Sequence, residues 1–293
     1  MLSNHWQTDL DAFRAAYSLQ RRVIDGHEWD YFVCGEGEQA LLVLPGGLAV
    51  AETAFRSIHR FVGRYRIIAP TYPATIMTMA QLVGGLAQLV RGAGIGRIHV
   101  VGGSYSGLVA QCLVRSAPEL VANLVLSDTG VPRPVRARWY GLMQPVLRYA
   151  PLWMLRAGLW AGVRLFLWRM PTNRAFWWRY FRARTAHISR AECLSHLAIW
   201  RDFDRRYRFS AADLAAWHGR ILLIEAEHDG LFRPAEQLAL RRLYPSAQIH
   251  TFANSPHGAS LARMDDYLAV IERFLAENVE HRTKNIVYGR IVY

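Results

Sequence analysis

One serine in this sequence stands where it could act as a nucleophile. Ser104 lies in the small-residue stretch 102–107, after an apolar run of strand length (97–101) and before a segment with helical spacing of apolar residues. A strand that turns abruptly into a helix lifts such a hydroxyl above the sheet edge. It also points the first amides of the helix at the space beside that hydroxyl. The pattern therefore indicates attack on an acyl carbon.

A serine hydroxyl is a poor nucleophile at neutral pH and needs a base. Of the 11 histidines, His257 is distinguished by its place in the loop 253–259, between the last predicted strand and the last predicted helix. An acid must fix the tautomer of that ring and stabilise its charged form. Asp229 follows the predicted strand 220–225, so both side chains are expected at the sheet edge that carries Ser104. The chain order Ser, Asp, His is the one expected of this architecture.

Other carboxylates compete with Asp229 for the role of the acid. Asp128 ends the strand that follows the helix after Ser104, and it is the alternative acid. Glu225 and Glu227 are close neighbours of Asp229 in the chain. The sequence favours Asp229 by position and leaves Asp128 open.

An acyl-transfer site also needs donors for the oxygen that becomes negatively charged. One donor is expected to be the amide N–H of Tyr105, the residue after the candidate nucleophile. The other is expected from the loop after the apolar run 40–44, at Gly47, because glycine lets the backbone approach a substrate closely. Gly47 and Tyr105 are therefore the predicted oxyanion hole.

The elements that must position these residues alternate along the chain. Short apolar runs are separated by segments with helical spacing, which predicts βαβ units and a mostly parallel central sheet flanked by helices. The predicted strands are 20–34 (one or two strands with a turn at Asp25-Gly26), 40–44, 65–69, 97–101, 121–126, 220–225 and 247–252. The longer predicted helices are 5–18, 79–90 and 259–278.

These features together resemble the α/β-hydrolase superfamily over residues 30–130 and 215–280. The residues that carry the resemblance are the Leu44-Pro45-Gly46-Gly47 loop, the stretch 102–107, Asp229 and His257. The resemblance implies the α/β-hydrolase fold, a helical cap inserted after the sixth strand, and a serine hydrolase of the carboxylesterase or thioesterase kind. It implies neither an organic cofactor nor a metal.

The sequence departs from that superfamily at three places. Pro45-Gly46 stands where His-Gly is usual, and Ser106 stands where glycine is usual, although the added hydroxyl is expected to be tolerated. The loop 69–74 reads Ala-Pro-Thr-Tyr-Pro-Ala where an Asp-x-x-Gly-x-Gly-like turn is usual. This loop and the stretch Ser127-Asp128-Thr129 are similar to the maspardin branch. Because that branch is discussed as containing binding proteins as well as enzymes, a non-catalytic scaffold protein is the alternative function.

One segment differs in composition from the rest of the chain. Residues 131–210 contain 16 arginines against three acidic residues, and seven of the ten tryptophans. This predicts a hydrolase core of residues 1–130 and 216–280, an Arg/Trp-rich helical cap of residues 131–215, and a C-terminal tail of residues 281–293. The tail has a strand-like composition, and the sequence does not place it. Four arginines interrupt the apolar stretch 142–170, and the longest uncharged run among them is seven residues, too short to span a membrane.

Four interpretations of the basic cap remain open. It could lie on an anionic lipid surface, recruit an acidic partner such as a carrier protein, bind nucleic acid, or be a solvated arginine face over a Trp-rich core. We do not expect nucleic acid. The sequence holds a single lysine, Lys284. Part of the arginine content of the cap therefore reflects a preference for arginine over lysine throughout the chain.

The remaining composition bounds the class of protein. Hydrophobic residues make up 52% of the chain, enough for a large core. The three cysteines are scattered, which predicts neither disulfides nor a zinc site and favours a cytoplasmic protein, with peripheral membrane association as a further option. Residues 1–6 lack the features of a Sec-type signal peptide.

The sequence therefore predicts a serine hydrolase that cleaves a small-molecule ester or thioester with a hydrophobic acyl or bulky apolar group. Use of the same residues for C–C bond hydrolysis or a biosynthetic cyclisation is a further alternative. The sequence gives neither the substrate nor the oligomeric state.

Overall fold

The structure is a computed structural model that describes residues 3–170 and 172–288. Within them, the strands form one eight-stranded sheet in the order β1-β2-β4-β3-β5-β6-β7-β8. The strands are β1 (Gln20–Ile24), β2 (His27–Cys34), β3 (Gln39–Val43), β4 (Tyr65–Pro70), β5 (Ile98–Gly103), β6 (Val121–Ser127), β7 (Ile221–His228) and β8 (Gln248–Pro256). β1 and β2 are antiparallel to their neighbours and all the other pairs are parallel, which confirms the predicted sheet.

Along the chain, most helices lie between successive strands. They are α1 (Ser3–Ala16), α2 (Phe55–Phe61), α3 (Met79–Gly92), α4 (Tyr105–Ser116), α5 (Pro134–Tyr149), α6 (Leu152–Trp168), α7 (Arg174–His187), α8 (Arg190–Arg206), α9 (Pro234–Leu243), α10 (Ala259–Ala262) and α11 (Met264–Tyr288). Successive strand side chains face opposite sides, so Leu41 packs in one buried cluster with α1, α2 and α11, and Leu42 in another with α3, α4 and α9. The sheet is buried on both faces.

The first hairpin shows how local chemistry determines the fold. Ile24 pairs with His27 across a two-residue turn made of Asp25 and Gly26. Both turn residues have positive φ, 50° and 78°, as the tight turns of right-twisted hairpins require. Asp-Gly is the residue pair that reaches this conformation at low cost, which explains why the turn was predictable.

Four helices, α5–α8, lie between β6 and β7, where the sequence predicted a helical cap. Within the segment, the buried Asp204 of α8 accepts hydrogen bonds from Arg136 of α5 at 2.6 and 2.8 Å. Arg136 also reaches Glu236 of α9 at 3.3 Å, which links the segment to the core. At its other end, the ring of Phe166 lies 6.1 Å from that of His257, so α6 covers the candidate site. Among the described residues, no helix is long and apolar enough to cross a membrane.

The end of the chain differs from the prediction. The predicted helix 259–278 is two helices, α10 and α11, with Arg263 between them, and α11 continues to Tyr288. Residues 281–288, which the sequence set apart as a tail, are therefore helical in their backbone. Residues 289–293 of the predicted tail lie outside the described part of the chain.

Candidate active site

Ser104 is the single residue between β5 and α4. Its backbone has φ 51° and ψ −121°, a conformation that costs a non-glycine residue about 1–3 kcal/mol. Two hydrogen bonds hold the turn: the Ser104 amide donates to the carbonyl of Ser127 at 2.8 Å, and the Thr129 hydroxyl donates to the carbonyl of Ser104 at 2.8 Å. A side chain on Gly107 would lie 2.6 Å from Thr129, so only glycine lets α4 approach so closely. β6 thus fixes the turn that presents Ser104.

Asp229 and His257 each follow directly on a strand. The last residues of β7 and β8, His228 and Pro256, are register partners in parallel strands. Since the carboxyl ends of parallel strands lie at one sheet edge, the two side chains emerge next to each other. Ser104 follows the end of β5 at this same edge, as the sequence predicted.

The structure brings the three predicted residues into one hydrogen-bonded chain. The Oγ atom of Ser104 lies 3.0 Å from Nε2 of His257, and Nδ1 of His257 lies 2.8 Å from Oδ2 of Asp229. A carboxylate can only accept, so we assign the ring proton to Nδ1, which leaves Nε2 free to accept from the serine hydroxyl. The second oxygen of Asp229 accepts from the amides of Leu231 and Phe232 at 2.7 and 2.8 Å.

The surroundings of His257 favour its charged form. The side chain is only 15% exposed, and this burial by itself lowers the pKa of the ring. The hydrogen bond and charge of Asp229, together with the charge of Asp128, outweigh burial, so the pKa of His257 is raised above its ordinary value. The site therefore stabilises a proton that arrives on this ring.

The structure places the alternative acid, Asp128, beside His257 but does not bond it to the ring. Its Oδ2 accepts from the amides of Gly258 and Ala259 at 3.1 and 2.9 Å, at the start of α10. Burial raises the pKa of Asp128 to about 6; the charge of Asp229 adds to this effect, whereas His257 and the two amides oppose it. Asp128 thus holds the loop that carries His257 and acts on its ring through space.

The other two competing carboxylates are bonded elsewhere. Glu225 is buried and pairs with Arg241. Glu227 accepts from the amide of Asn254 at 2.8 Å. Of the four carboxylates weighed from the sequence, Asp229 is the one that contacts the imidazole.

We expect the substitution Asp128→Asn to lower the pKa of His257. Asparagine keeps an oxygen for the amides of Gly258 and Ala259 but carries no charge, and the charge of Asp128 raises the pKa of the ring. The difference from wild type should be present above about pH 6 and fade below it, where the Asp128 carboxyl itself takes up a proton. NMR titration of the ring measures it.

The substitution Asp11→Asn, at an exposed position on α1, is the matched control and should leave the titration of His257 unchanged. An unchanged or raised pKa in Asp128→Asn would contradict this account of the electrostatics.

The loop that carries Gly47 is fastened to α4. The hydroxyl of Ser106 donates to the carbonyl of Pro45, and the hydroxyl of Tyr72 donates to Ser106 at 2.9 Å. Ser106 and Tyr72 are buried. These bonds set the spacing between the two predicted oxyanion donors, the amides of Gly47 and Tyr105. Sequence reasoning treated Ser106 only as a tolerated hydroxyl, although its departure from the usual glycine was a visible signal.

A cavity of about 520 Å³ adjoins this loop, within the size range of small-molecule sites. Both Gly47 and Tyr105 line it. The helical segment contributes mainly apolar side chains, among them Leu147, Leu155, Leu159, Ile188, Leu197 and Trp200. A second cavity of about 370 Å³ lies between Phe209 and α9, and none of the predicted site residues lines it. The larger cavity is the candidate binding space because it contains both predicted oxyanion donors, although Ser104 and His257 are not among its lining residues.

Two polar groups in the larger cavity have no hydrogen-bond partner in the described structure. The hydroxyl of Tyr105 and Nε1 of Trp200 are buried and unbonded. His196 stacks on Tyr105 at 3.8 Å between ring centroids, and burial lowers its pKa to about 4, so its ring is neutral at pH 7. These groups could bond a polar atom of a bound molecule. Sequence reasoning missed them, because their proximity comes from packing between α4 and α8.

No group of three or more histidine, cysteine or acidic side chains in the described chain is arranged to hold a metal ion.

Comparison with known proteins gives the same architecture. A hydrolase from Pseudomonas aeruginosa superposes with a TM-score of 0.73 at 20% identity, over 89% of this chain and 99% of that one. The enol-lactonase from Burkholderia xenovorans superposes with a TM-score of 0.71 at 16% identity, over 88% and 100% of the two chains. At these identities, the likeness shows the fold.

Sequence comparison gives the family. An uncharacterized protein of Mycobacterium tuberculosis is 27% identical over 122 residues, which are 39% of this chain and 35% of that protein. The match thus spans about a third of the length of the curated relatives. The family model for the alpha/beta hydrolase fold matches residues 58–262, more than half of the chain. The protein therefore belongs to the alpha/beta hydrolase fold family.

Proposed function

We propose that this protein is a serine hydrolase that cleaves an ester or thioester through an acyl-enzyme on Ser104. The hydrogen-bonded chain from Ser104 through His257 to Asp229 carries this proposal. A serine whose hydroxyl contacts a histidine, itself oriented by a buried carboxylate, is the arrangement that activates a hydroxyl for acyl transfer.

The first half of the reaction forms the acyl-enzyme and releases the leaving group. Nε2 of His257 accepts the Ser104 proton as Oγ bonds to the acyl carbon, and the amides of Gly47 and Tyr105 stabilise the oxygen that becomes negative. His257 then gives its proton to the leaving alcohol or thiol as the bond from the acyl carbon to the leaving oxygen or sulfur breaks. Asp229 holds the ring in the required tautomer and stabilises its charge.

The second half regenerates the serine. Water loses a proton to Nε2 of His257 and attacks the acyl carbon, and Ser104 leaves with the proton returned from the ring. The products are a carboxylic acid and free enzyme. No redox partner enters this balance.

The cavity supports an apolar acyl or bulky apolar group as the substrate. Its volume of about 520 Å³ and its leucine, isoleucine and tryptophan lining suit burial of hydrocarbon, which is favourable by about 25 cal/mol per Å². The neutral His196 ring and the unbonded Tyr105 hydroxyl could form a hydrogen bond with one polar atom of that group.

Two assays test the proposal. A fluorophosphonate probe should label the folded protein at Ser104, located by peptide mass spectrometry, and should not label heat-denatured protein. A series of p-nitrophenyl esters from acetate to long acyl chains should show higher kcat/KM for chains longer than acetate. A folded protein that neither reacts with the probe nor hydrolyses any ester would favour the scaffold alternative instead.

Filling the cavity should shorten the preferred acyl chain. Cys193 lines the cavity from α8, and the substitution Cys193→Trp places an indole there. We expect kcat/KM for long-chain esters to fall at least about tenfold while the acetate ester keeps its wild-type value, because each buried methylene is worth about 0.8 kcal/mol and the indole displaces two or more of them. The ester series measures both ends of the range.

The substitution Cys193→Ser keeps the size of the side chain and is the matched control; it should retain the wild-type preference. Retention of that preference in Cys193→Trp would mean that the acyl group does not occupy this cavity. The acetate rate shows that each variant is folded.

A further inference from the structure

The helices α5 and α6 expose an unusual amount of apolar surface. Ten of the sixteen large hydrophobic side chains exposed in the described chain belong to these two helices. We call them the α5–α6 surface: Val135, Trp139, Leu142, Met143, Val146, Tyr149, Trp153, Met154, Leu165 and Trp168. Exposed apolar patches of this kind mark contact surfaces of proteins.

One side of α6 shows the pattern most clearly. Trp153, Ala157, Ala161, Leu165 and Trp168 are exposed at helical spacing, and they extend about 22 Å along the axis. An ordinary surface helix places its polar residues on this side. Here the tryptophans at the two ends are 70% and 71% exposed.

The stretch of sequence that forms this surface carries charge of one sign. Between Asp128 and Glu192 the sequence contains 12 arginines and no acidic residue. Arg138, Arg148 and Arg164 are exposed on α5 and α6, and none of the three forms an ion pair with any described residue. Arg148 and Arg164 lie over the rings of Tyr149 and Trp178, at 5.9 and 5.6 Å.

The few acidic side chains of the helical segment do not neutralise these arginines. Glu192 accepts from Arg184 and from Ser189 at the start of α8. Asp202 pairs with Arg206 at 2.9 Å, and the buried Asp204 accepts from Arg136. The α5–α6 surface therefore presents apolar side chains and uncompensated positive charge together.

We propose that the α5–α6 surface docks onto an anionic lipid bilayer. Tryptophan, tyrosine and leucine enter the boundary between headgroups and acyl chains, and the arginines contact lipid phosphates, each adding about 1 kcal/mol near such a surface. A second copy of the chain is the poorer occupant, because a two-fold interface would bring this positive surface against itself.

The candidate binding cavity opens beside this surface. Val146 and Met154 belong to the α5–α6 surface, being 46% and 43% exposed, and both also line the cavity. An apolar ester dissolved in the bilayer would thus pass to the cavity without crossing water. This consequence rests on the proposed function, whereas the docking itself does not.

Vesicle sedimentation tests the docking on the whole chain. The protein should bind vesicles of phosphatidylcholine with about 30% phosphatidylglycerol, bind pure phosphatidylcholine at least about tenfold more weakly, and lose affinity as salt is raised. Absence of binding to the anionic vesicles at low salt would overturn the proposal, and so would equal binding to both.

Matched variants locate the surface. Arg164→Ala should weaken binding about fivefold, the effect of one surface charge, and Trp153→Ala with Trp168→Ala should weaken it at least about tenfold. Leu165→Ala should also weaken it. The controls Leu238→Ala and Arg242→Ala, at exposed positions of α9, should bind as wild type does. Equal losses of vesicle binding in the α6 and α9 variants would overturn the assignment of this surface. So would the finding that the wild-type protein is a dimer and that Trp153→Ala dissociates it.

The docking and the hydrolysis fail separately. Ser104→Ala should bind vesicles as wild type does, and the double tryptophan variant should keep wild-type kcat on a soluble short ester while turning over vesicle-embedded ester more slowly. Binding without any ester hydrolysis would leave the docking standing and remove the proposed function.

Discussion

Replacing Ser104 with alanine will lower kcat on the preferred ester by about 10⁶-fold and abolish fluorophosphonate labelling. The Oγ atom of Ser104 is the one that contacts Nε2 of His257, at 3.0 Å, and alanine leaves the ring with no hydroxyl to deprotonate. Single-turnover hydrolysis with excess enzyme measures the loss. Any residual activity should come from the proposed oxyanion donors and from substrate binding.

The substitution Ser116→Ala is the control on the same helix. Ser116 is exposed at the far end of α4, where its hydroxyl bonds the carbonyl of Leu113 at 3.2 Å. It should keep wild-type kcat. A Ser104→Ala protein that retains its fold by circular dichroism and more than about a tenth of wild-type kcat would contradict the mechanism.

The architecture was predictable because its signals are local. Continuous apolar runs such as Leu41–Val43 mark strands buried on both faces, and the Asp25-Gly26 turn specifies its own hairpin. The position of Ser104 between strand and helix followed from the same periodicity. The proximity of Asp229 and His257 followed from one rule about parallel strands.

What the sequence could not reveal depends on packing between distant segments. Nothing local shows that Ser106 bonds the Pro45 carbonyl, because the two residues meet only when β3 and β5 pair. The sequence could not choose between Asp229 and Asp128 for the same reason. Both follow strands at one sheet edge, and only the folded loops decide which of them faces the ring and which faces the amides of α10.

The tryptophans of the helical segment show a similar limit. Composition separated this segment from the rest of the chain, but it did not distinguish a Trp-rich core from a Trp-rich surface. The structure contains both: Trp177 is fully buried with α1 and α2, whereas Trp153 and Trp168 face outward. Sidedness depends on which helix faces meet the core, and α6 buries Leu155 and Leu167 instead of its tryptophans.

The substitution Asp229→Asn should lower kcat by about 10⁴-fold with little change in KM. The amide can donate to Nδ1 of His257, which would move the ring proton to Nε2 and leave no acceptor for the Ser104 hydroxyl. It also removes the charge that stabilises the protonated ring, and the side chain is fully buried, so water does not replace it. Steady-state kinetics over pH 5–9 measures the loss.

The paired variant Asp128→Asn separates a group that orients the ring from one that only lies near it. Asp128 bonds the amides of Gly258 and Ala259, and asparagine can still accept from both, so kcat should fall less than about tenfold. The acidic limb of kcat/KM should instead move to lower pH, because the free enzyme then needs a lower pH to protonate His257. A larger loss of kcat in Asp128→Asn than in Asp229→Asn would exchange the two assignments and make Asp128 the acid of the site.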